Sequence, residues 1–204
     1  MQEILEIIAY GILGYLIGSI PWALIIGKVF YKTDIREHGS GNLGGSNAGR
    51  VLGKKVGVIV IALDALKAFI FMALLTKLAP SAIPYAGLAV IIGHCFPIFA
   101  HFKGGKGVAS AFGYLLGLSL FGFGDIFFTF IYPVLIFLLI LGLTKIVSIS
   151  SMLALLAAAI IAFMTNTLPV AICILAIALF VIYRHKSNIV RILKRQETQI
   201  TWLR

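Results

Sequence analysis

Long apolar runs nearly free of charge succeed one another along this chain, at about 4–29, 57–78, 82–100, 108–124, 126–144, 147–165 and 167–184. About 20 consecutive apolar residues carry a helix across a bilayer, and lipid offers backbone polar groups no partner outside their own segment. The runs read as seven transmembrane helices, so the expected fold is an all-α, polytopic integral membrane helical bundle forming one domain over residues 1–204. Composition points the same way: 61% of residues are hydrophobic and 12% charged, against about 45–50% and 25% in a soluble domain. The cut between the fourth and fifth runs rests on Gly122–Asp125 alone, and Pro84 and Pro97 bracket the third, which is expected to be short or broken. The N-terminal MQEILEII carries acid and lacks the basic flank of a cleaved signal, so the first span is expected to be retained.

Charge sets the orientation. Of the seventeen Lys and Arg, all but Lys67 and Lys77 fall at or beyond the ends of the first, third, fifth and seventh runs. Those ends share one side if the spans alternate, which places the N-terminus outside and the C-terminus in the cytoplasm. Most of the net charge of +10 is accounted for by orientation and by attraction to anionic lipid; the expected partners of this charge are membrane lipids, with no nucleic acid. Cys95 and Cys173 lie in apolar stretches and read as small hydrophobes. Neither CxxC nor Cys/His ligand spacing occurs, so no metal is expected.

Three clusters on the basic face carry more than orientation requires. The first, Asp34–Arg50, holds Gly39, Gly41, Gly44, Gly45 and Gly49, too many for a helix to be expected through it. Backbone N–H groups in such a loop can form an anion nest, with Arg50 as a charged fork. Its G-x-G-x-x-G spacing, with Asp64 twenty residues beyond Gly44, lacks the strand and βαβ setting of a dinucleotide site. The second, Gly93–Ser110, places Gly104, Gly105, Lys106 and Gly107 just before a hydrophobic helix, where N–H groups can meet an anion or oxyanion. It is no Walker A loop, because Ala100 and Gly107 stand where that motif needs Gly and Ser or Thr. Phe96, Phe99 and Phe102 fit an interfacial belt. In the third, Arg184–Glu197, Ile189, Ile192, Leu193 and Ile200 mark an amphipathic interfacial helix, with His185 and Asn188 sharing a face at its start. Asp64 and Lys67, three apart inside the second span, are expected to pair and face the interior.

These residues point to an anionic, phosphate-bearing ligand at the cytoplasmic face. They suit a membrane-embedded acyl or phosphoryl transferase, and some of the same groups suit an anion transporter. A transporter, however, places polar groups along its spans and on both faces, whereas the outer loops here are minimal.

Together the clusters resemble the PlsY family, bacterial membrane-embedded acyl-phosphate:glycerol-3-phosphate acyltransferases. The family pattern GSGNxGxTNxxR is met from Gly39 to Arg50 with Ser46 for Thr. GHxFPxFxxFxGGKGxAT is met from Gly93 with Ser110 for the last Thr. HxxNIxRLxxGxE is met at His185, Asn188, Ile189, Arg191 and Glu197, with Ile192 for Leu and Arg195 for Gly. The resemblance implies transfer of an acyl chain from acyl phosphate to the 1-hydroxyl of glycerol-3-phosphate, giving lysophosphatidic acid and phosphate, the first committed step of bacterial phospholipid synthesis. It implies no cofactor, a place in the bacterial inner membrane, and as candidate partner the soluble enzyme that makes acyl phosphate. None of His38, His94, His101 and His185 begins the HxxxxD of other glycerol-3-phosphate acyltransferases. By the same resemblance Ser40, Arg50, Lys106, His185 and Asn188 are the catalytic candidates. Gly39, Gly41, Asn42, Asn47, Gly104, Gly105, Gly107 and Arg191 are the substrate-binding candidates. His94 and Glu197, with Asp64 and Lys67, are expected to give structural support.

Overall fold

The computed structural model describes residues 1–200; Arg204, one of the basic residues counted on the cytoplasmic side, lies outside them. Among the described residues every regular element is helical, the form in which a single segment satisfies its own backbone in lipid. Contacts group the chain into two units, one of Met1–Gly117 and a second beginning at Leu118.

The first unit holds α1 (Gln2–Gly18), α2 (Trp22–Tyr31), α3 (Gly45–Val51), α4 (Lys54–Leu78) and α5 (Ile83–Cys95); the boundary falls within α6 (Val108–Leu120). The first apolar run breaks at Ser19–Pro21, where Pro21 supplies no N–H and the Ser19 hydroxyl donates to the Tyr15 carbonyl at 2.8 Å. Helices α1 and α5 approach closely: a Cβ at Gly14 would sit on the Ala86 carbonyl oxygen, and one at Gly18 on that of Val90. Such small residues at i and i+4 let membrane helices meet where no hydrophobic force drives them together. Ile4, Leu5, Ile8 and Ile12 of α1 and Ile59, Ile70 and Leu74 of α4 stay exposed, a surface suited to lipid and not to water.

The second unit contains a π-helical turn, Phe127–Ile131, then α7 (Tyr132–Thr144), α8 (Val147–Thr165), α9 (Leu168–Arg184) and α10 (Lys186–Leu193). Helix α8 buries Ala154, Ala158 and Ala162 in one stripe, and α9 buries Val170, Ile174, Ile177 and Val181. The break after the fourth run lies at Gly122, with φ +89°. Asp125 then caps the restart, its Oδ1 accepting from the Phe127 N–H at 2.8 Å and the Phe128 N–H at 3.2 Å.

Five stretches are long and apolar enough to cross a bilayer: Gln2–Tyr31, Lys54–Leu78, Pro80–Ala100, Phe127–Thr144 and Val147–Thr165; α9 and α10 make a sixth, bent by 59°. The run expected to span at 108–124 forms α6, of 13 residues. At 1.5 Å per residue it reaches about 20 Å, short of a hydrocarbon layer roughly 30 Å thick. Two expectations are corrected. A short helix, α3, does form within the first glycine cluster, because Gly45 and Gly57 let it lie against α4 at a distance no Cβ at either position would permit. The amphipathic helix ends at Leu193, so Ile200 lies beyond it.

Candidate active site

The first cluster is a loop held by one side chain. Asn47, 1% exposed, donates from Nδ2 to the carbonyls of Ile35 at 3.0 Å and His38 at 3.2 Å, and its Oδ1 accepts the Ser40 N–H at 2.8 Å. Gly39 and Gly41 adopt φ of +61° and +68°, the left-handed region that other residues enter at a cost. The backbone can therefore coil around the Asn47 amide and carry Ser40 outward, exposed, while Arg50 stands exposed in the last turn of α3. Asp34 anchors the loop's start, accepting from Arg36 Nε at 2.9 Å, from the Arg36 N–H at 3.1 Å and pairing with Lys28 at 3.3 Å. The Arg36 guanidinium holds the Asp34 carboxyl well below the usual carboxylate range. Beneath, Ile35, Leu43 and Ala48 share one apolar cluster with Ala23 and Leu24 of α2, Val56 and Val60 of α4, and Ala100 of the second motif. The first two motifs thus rest on a common core.

The second cluster leaves α5 through a 3-10 turn, Ile98–Ala100, and enters α6 after Gly107, whose φ is +86°. Between them the Gly105 N–H donates to the His94 carbonyl at 3.1 Å. Gly104, Gly105 and Gly107 are buried and Lys106 is half-buried. Ser110, fully buried, donates its hydroxyl to the Asp64 carbonyl at 2.8 Å, which ties the start of α6 to α4. Asp64 and Lys67 pair at 3.0 Å, and His94 Nδ1 lies 2.9 Å from Lys67 Nζ and 3.3 Å from Asp64 Oδ1. Phe99 and Phe102 are exposed, as an interfacial position allows.

The third cluster, in the second unit, turns on two residues. His185, 3% exposed at the junction of α9 and α10, donates its Nδ1–H to the Val181 carbonyl at 2.8 Å; in the neutral ring the basic lone pair is then on Nε2. Glu197 gathers three donors: Asn188 Nδ2 at 2.5 Å, Ser148 Oγ at 2.9 Å and Arg191 Nε at 2.7 Å. Burial pushes the Glu197 carboxyl up, but the hydrogen bonds from Asn188, Arg191 and Ser148 outweigh it and hold the group below its ordinary value. The Ile200 N–H donates to the Lys145 carbonyl at 2.8 Å, so the segment after α10 folds back on the turn between α7 and α8.

Residues 8–195 match the family model described as glycerol-3-phosphate acyltransferase. The chain belongs to that family. It is similar to a glycerol-3-phosphate acyltransferase of Geobacillus kaustophilus, 43% identical over 94% of each chain. It is 46% identical to one of Bacillus subtilis over 94% of this chain and 96% of that one. Among solved structures it is similar to PlsY (YgiH), described as an integral membrane glycerol 3-phosphate acyltransferase, in its glycerol 3-phosphate form. That likeness has a TM-score of 0.87 and 34% identity over 97% of each chain. The lysophosphatidic acid form gives 0.83 and 34% over 96%. With its apolar helices, this member of the glycerol-3-phosphate acyltransferase family is a multi-pass membrane protein.

Within the acyltransferase, the motif residues divide by what their side chains do. Ser40 and Arg50 are presented outward. Asn47, expected to bind substrate, spends both its amide protons on the loop's own carbonyls. Arg191 reaches Glu197 through Nε. Two groups escaped sequence reasoning: Ser148, a partner of Glu197, and Tyr15, whose hydroxyl donates to the Phe96 carbonyl at 2.9 Å. Ser148 is preceded by Lys145 and a run of apolar residues, a setting that gives no sign of a distant carboxylate. Among the described residues no cluster of three or more His, Cys, Asp and Glu is placed to hold a metal.

Proposed function

We propose that the chain transfers an acyl group from acyl phosphate to the 1-hydroxyl of glycerol-3-phosphate, releasing lysophosphatidic acid and inorganic phosphate. The observation that carries this reading is the presence of all three motifs, the first two on ordered loops and the third at the α9–α10 junction, with glycerol 3-phosphate and lysophosphatidic acid forms known for the similar PlsY. The hydroxyl oxygen attacks the acyl carbonyl, the bond from that carbon to the phosphate oxygen breaks, and the hydroxyl proton passes to a base. A mixed anhydride is already activated, so positioning and charge neutralisation remain for the protein.

Ser40 and Arg50 contact phosphate. Gly104, Gly105, Lys106 and Gly107 cradle acyl phosphate and offer N–H groups to the oxyanion, Gly39, Gly41 and Asn42 shape the first loop, and Asn47 holds it. His185, Asn188 and Arg191 serve glycerol-3-phosphate, with Glu197 bracing Asn188 and Arg191. The base is either His185, through Nε2, or a phosphate oxygen of a substrate. His185→Gln separates the two: unchanged kcat with a raised glycerol-3-phosphate KM excludes an essential histidine base, whereas collapse of kcat with loss of the acidic limb of the pH profile establishes one.

The topology proposed is seven spans with α6 as the fourth, N-terminus outside, and one functional domain of the inner membrane working at the cytoplasmic face. There it meets the soluble enzyme that supplies acyl phosphate. Detergent-purified protein given both substrates should release one phosphate per lysophosphatidic acid formed. No release at any chain length, with anion flux in liposomes, would favour a transporter.

A further inference from the structure

The acyl-transfer scheme leaves three buried ionisable side chains without a part. Asp64, Lys67 and His94 are 2%, 7% and 6% exposed. Lys67 Nζ donates to the Gly18 carbonyl at 3.0 Å and lies 3.3 Å from that of Ile20, where α1 ends, besides meeting Asp64 Oδ1 at 3.0 Å and His94 Nδ1 at 2.9 Å. An ammonium has three protons for these four neighbours, so His94 Nδ1 completes the set either by accepting from Lys67 or by donating to Asp64. Helix packing alone does not call for this arrangement. Each charge is costly near a membrane helix centre, and an apolar pair of similar volume often holds helices as well as a buried ion pair.

The other side of His94 carries the second motif. Its carbonyl accepts the Gly105 N–H at 3.1 Å. A Cβ added at Gly105 would sit on its Nε2, and one at Gly104 on its carbonyl oxygen. A side chain at either glycine would therefore meet this histidine, at its main chain for Gly104 and at its ring for Gly105.

We propose that Lys67 is a positioning residue for acyl transfer, acting through His94 to fix the Gly104–Gly107 loop relative to the end of α1. The inference rests on the reading of that loop as the acyl-phosphate cradle. On purified full-length protein, Lys67→Met and His94→Ala should each raise the acyl-phosphate KM about tenfold, while the glycerol-3-phosphate KM changes less than about twofold. The double variant should be no worse than His94→Ala, because one acts through the other. Gly105→Ala should raise the same KM, and raise it less in the His94→Ala background, where the space its methyl needs has been opened.

Lys67→Met leaves Asp64 unpaired, so Asp64→Asn/Lys67→Met, which removes both charges, is measured beside it. Equal effects on both KM values, independent effects in the double variant, a normal acyl-phosphate KM in the neutral pair, or failure of both lysine variants to insert would overturn the proposal and leave the cluster a structural role. Wild-type protein that turns over glycerol-3-phosphate without acyl phosphate would instead remove the donor assignment, a separate outcome visible before any variant is made.

Discussion

Asn47 shows how one side chain decides the fate of a loop. Two donors and an acceptor are matched to two carbonyls and an N–H, so an aspartate of the same shape would turn carboxylate oxygens toward the Ile35 and His38 carbonyls. Asn47→Asp is expected to destabilise by about 1–3 kcal/mol, the cost of the buried Ile35 carbonyl and the part-buried His38 carbonyl losing their donor, and to abolish turnover; thermal unfolding in detergent and the transfer assay check both. Ser110 makes a similar point about substitution. The family pattern has Thr there, and the hydroxyl that Ser retains is the atom bonded to the Asp64 carbonyl. Ser110→Ala should lower stability by about 1 kcal/mol, while Ser110→Thr should be tolerated. The polar clusters proposed to carry the chemistry were legible because such residue types are unusual in an apolar chain. The partners of Asn47 were not, because residue type does not reveal which carbonyls a loop turns inward.

At the scale of elements, the glycine clusters and apolar runs announced themselves, while their exact boundaries depended on contacts distant in sequence. Helix α3 exists because glycines that look like loop formers serve close approach to α4. The tail after α10 turns back at Arg195, where the family pattern has Gly and the backbone has φ of +55°. The turn survives the substitution at a cost, so Arg195→Gly should stabilise the protein by up to about 1 kcal/mol, read as a higher unfolding temperature.

Beyond that turn the bonds of Glu197 to Asn188, Ser148 and Arg191 make the hold on the tail pH-sensitive. Its pKa is lowered in the folded state, so its contribution is present above the ordinary carboxylate value and is lost as pH falls through the lowered one. Protease cleavage of the tail should therefore stay slow at neutral pH and rise only below about pH 4. Glu197→Gln should be cleaved readily at every pH; equal protection in the variant would show that the carboxylate does not hold the tail.

For the whole molecule, the hydropathy runs established a membrane bundle because lipid permits so few backbone solutions. Length alone accounts for five or six of the seven expected spans, because the run at 108–124 forms a helix of only 13 residues. Charge asymmetry gives the proposed orientation, with Lys145 inside and the Asn166 turn outside. Single cysteines at those positions, in a background lacking Cys95 and Cys173, should be labelled by an impermeant reagent in intact cells only at Asn166.

The choice of acyl donor separates this enzyme from acyltransferases that take thioesters. Purified protein with glycerol-3-phosphate should form lysophosphatidic acid from acyl phosphate and none from acyl-coenzyme A or acyl carrier protein. Turnover with either thioester in the absence of acyl phosphate would remove acyl phosphate as the obligatory donor.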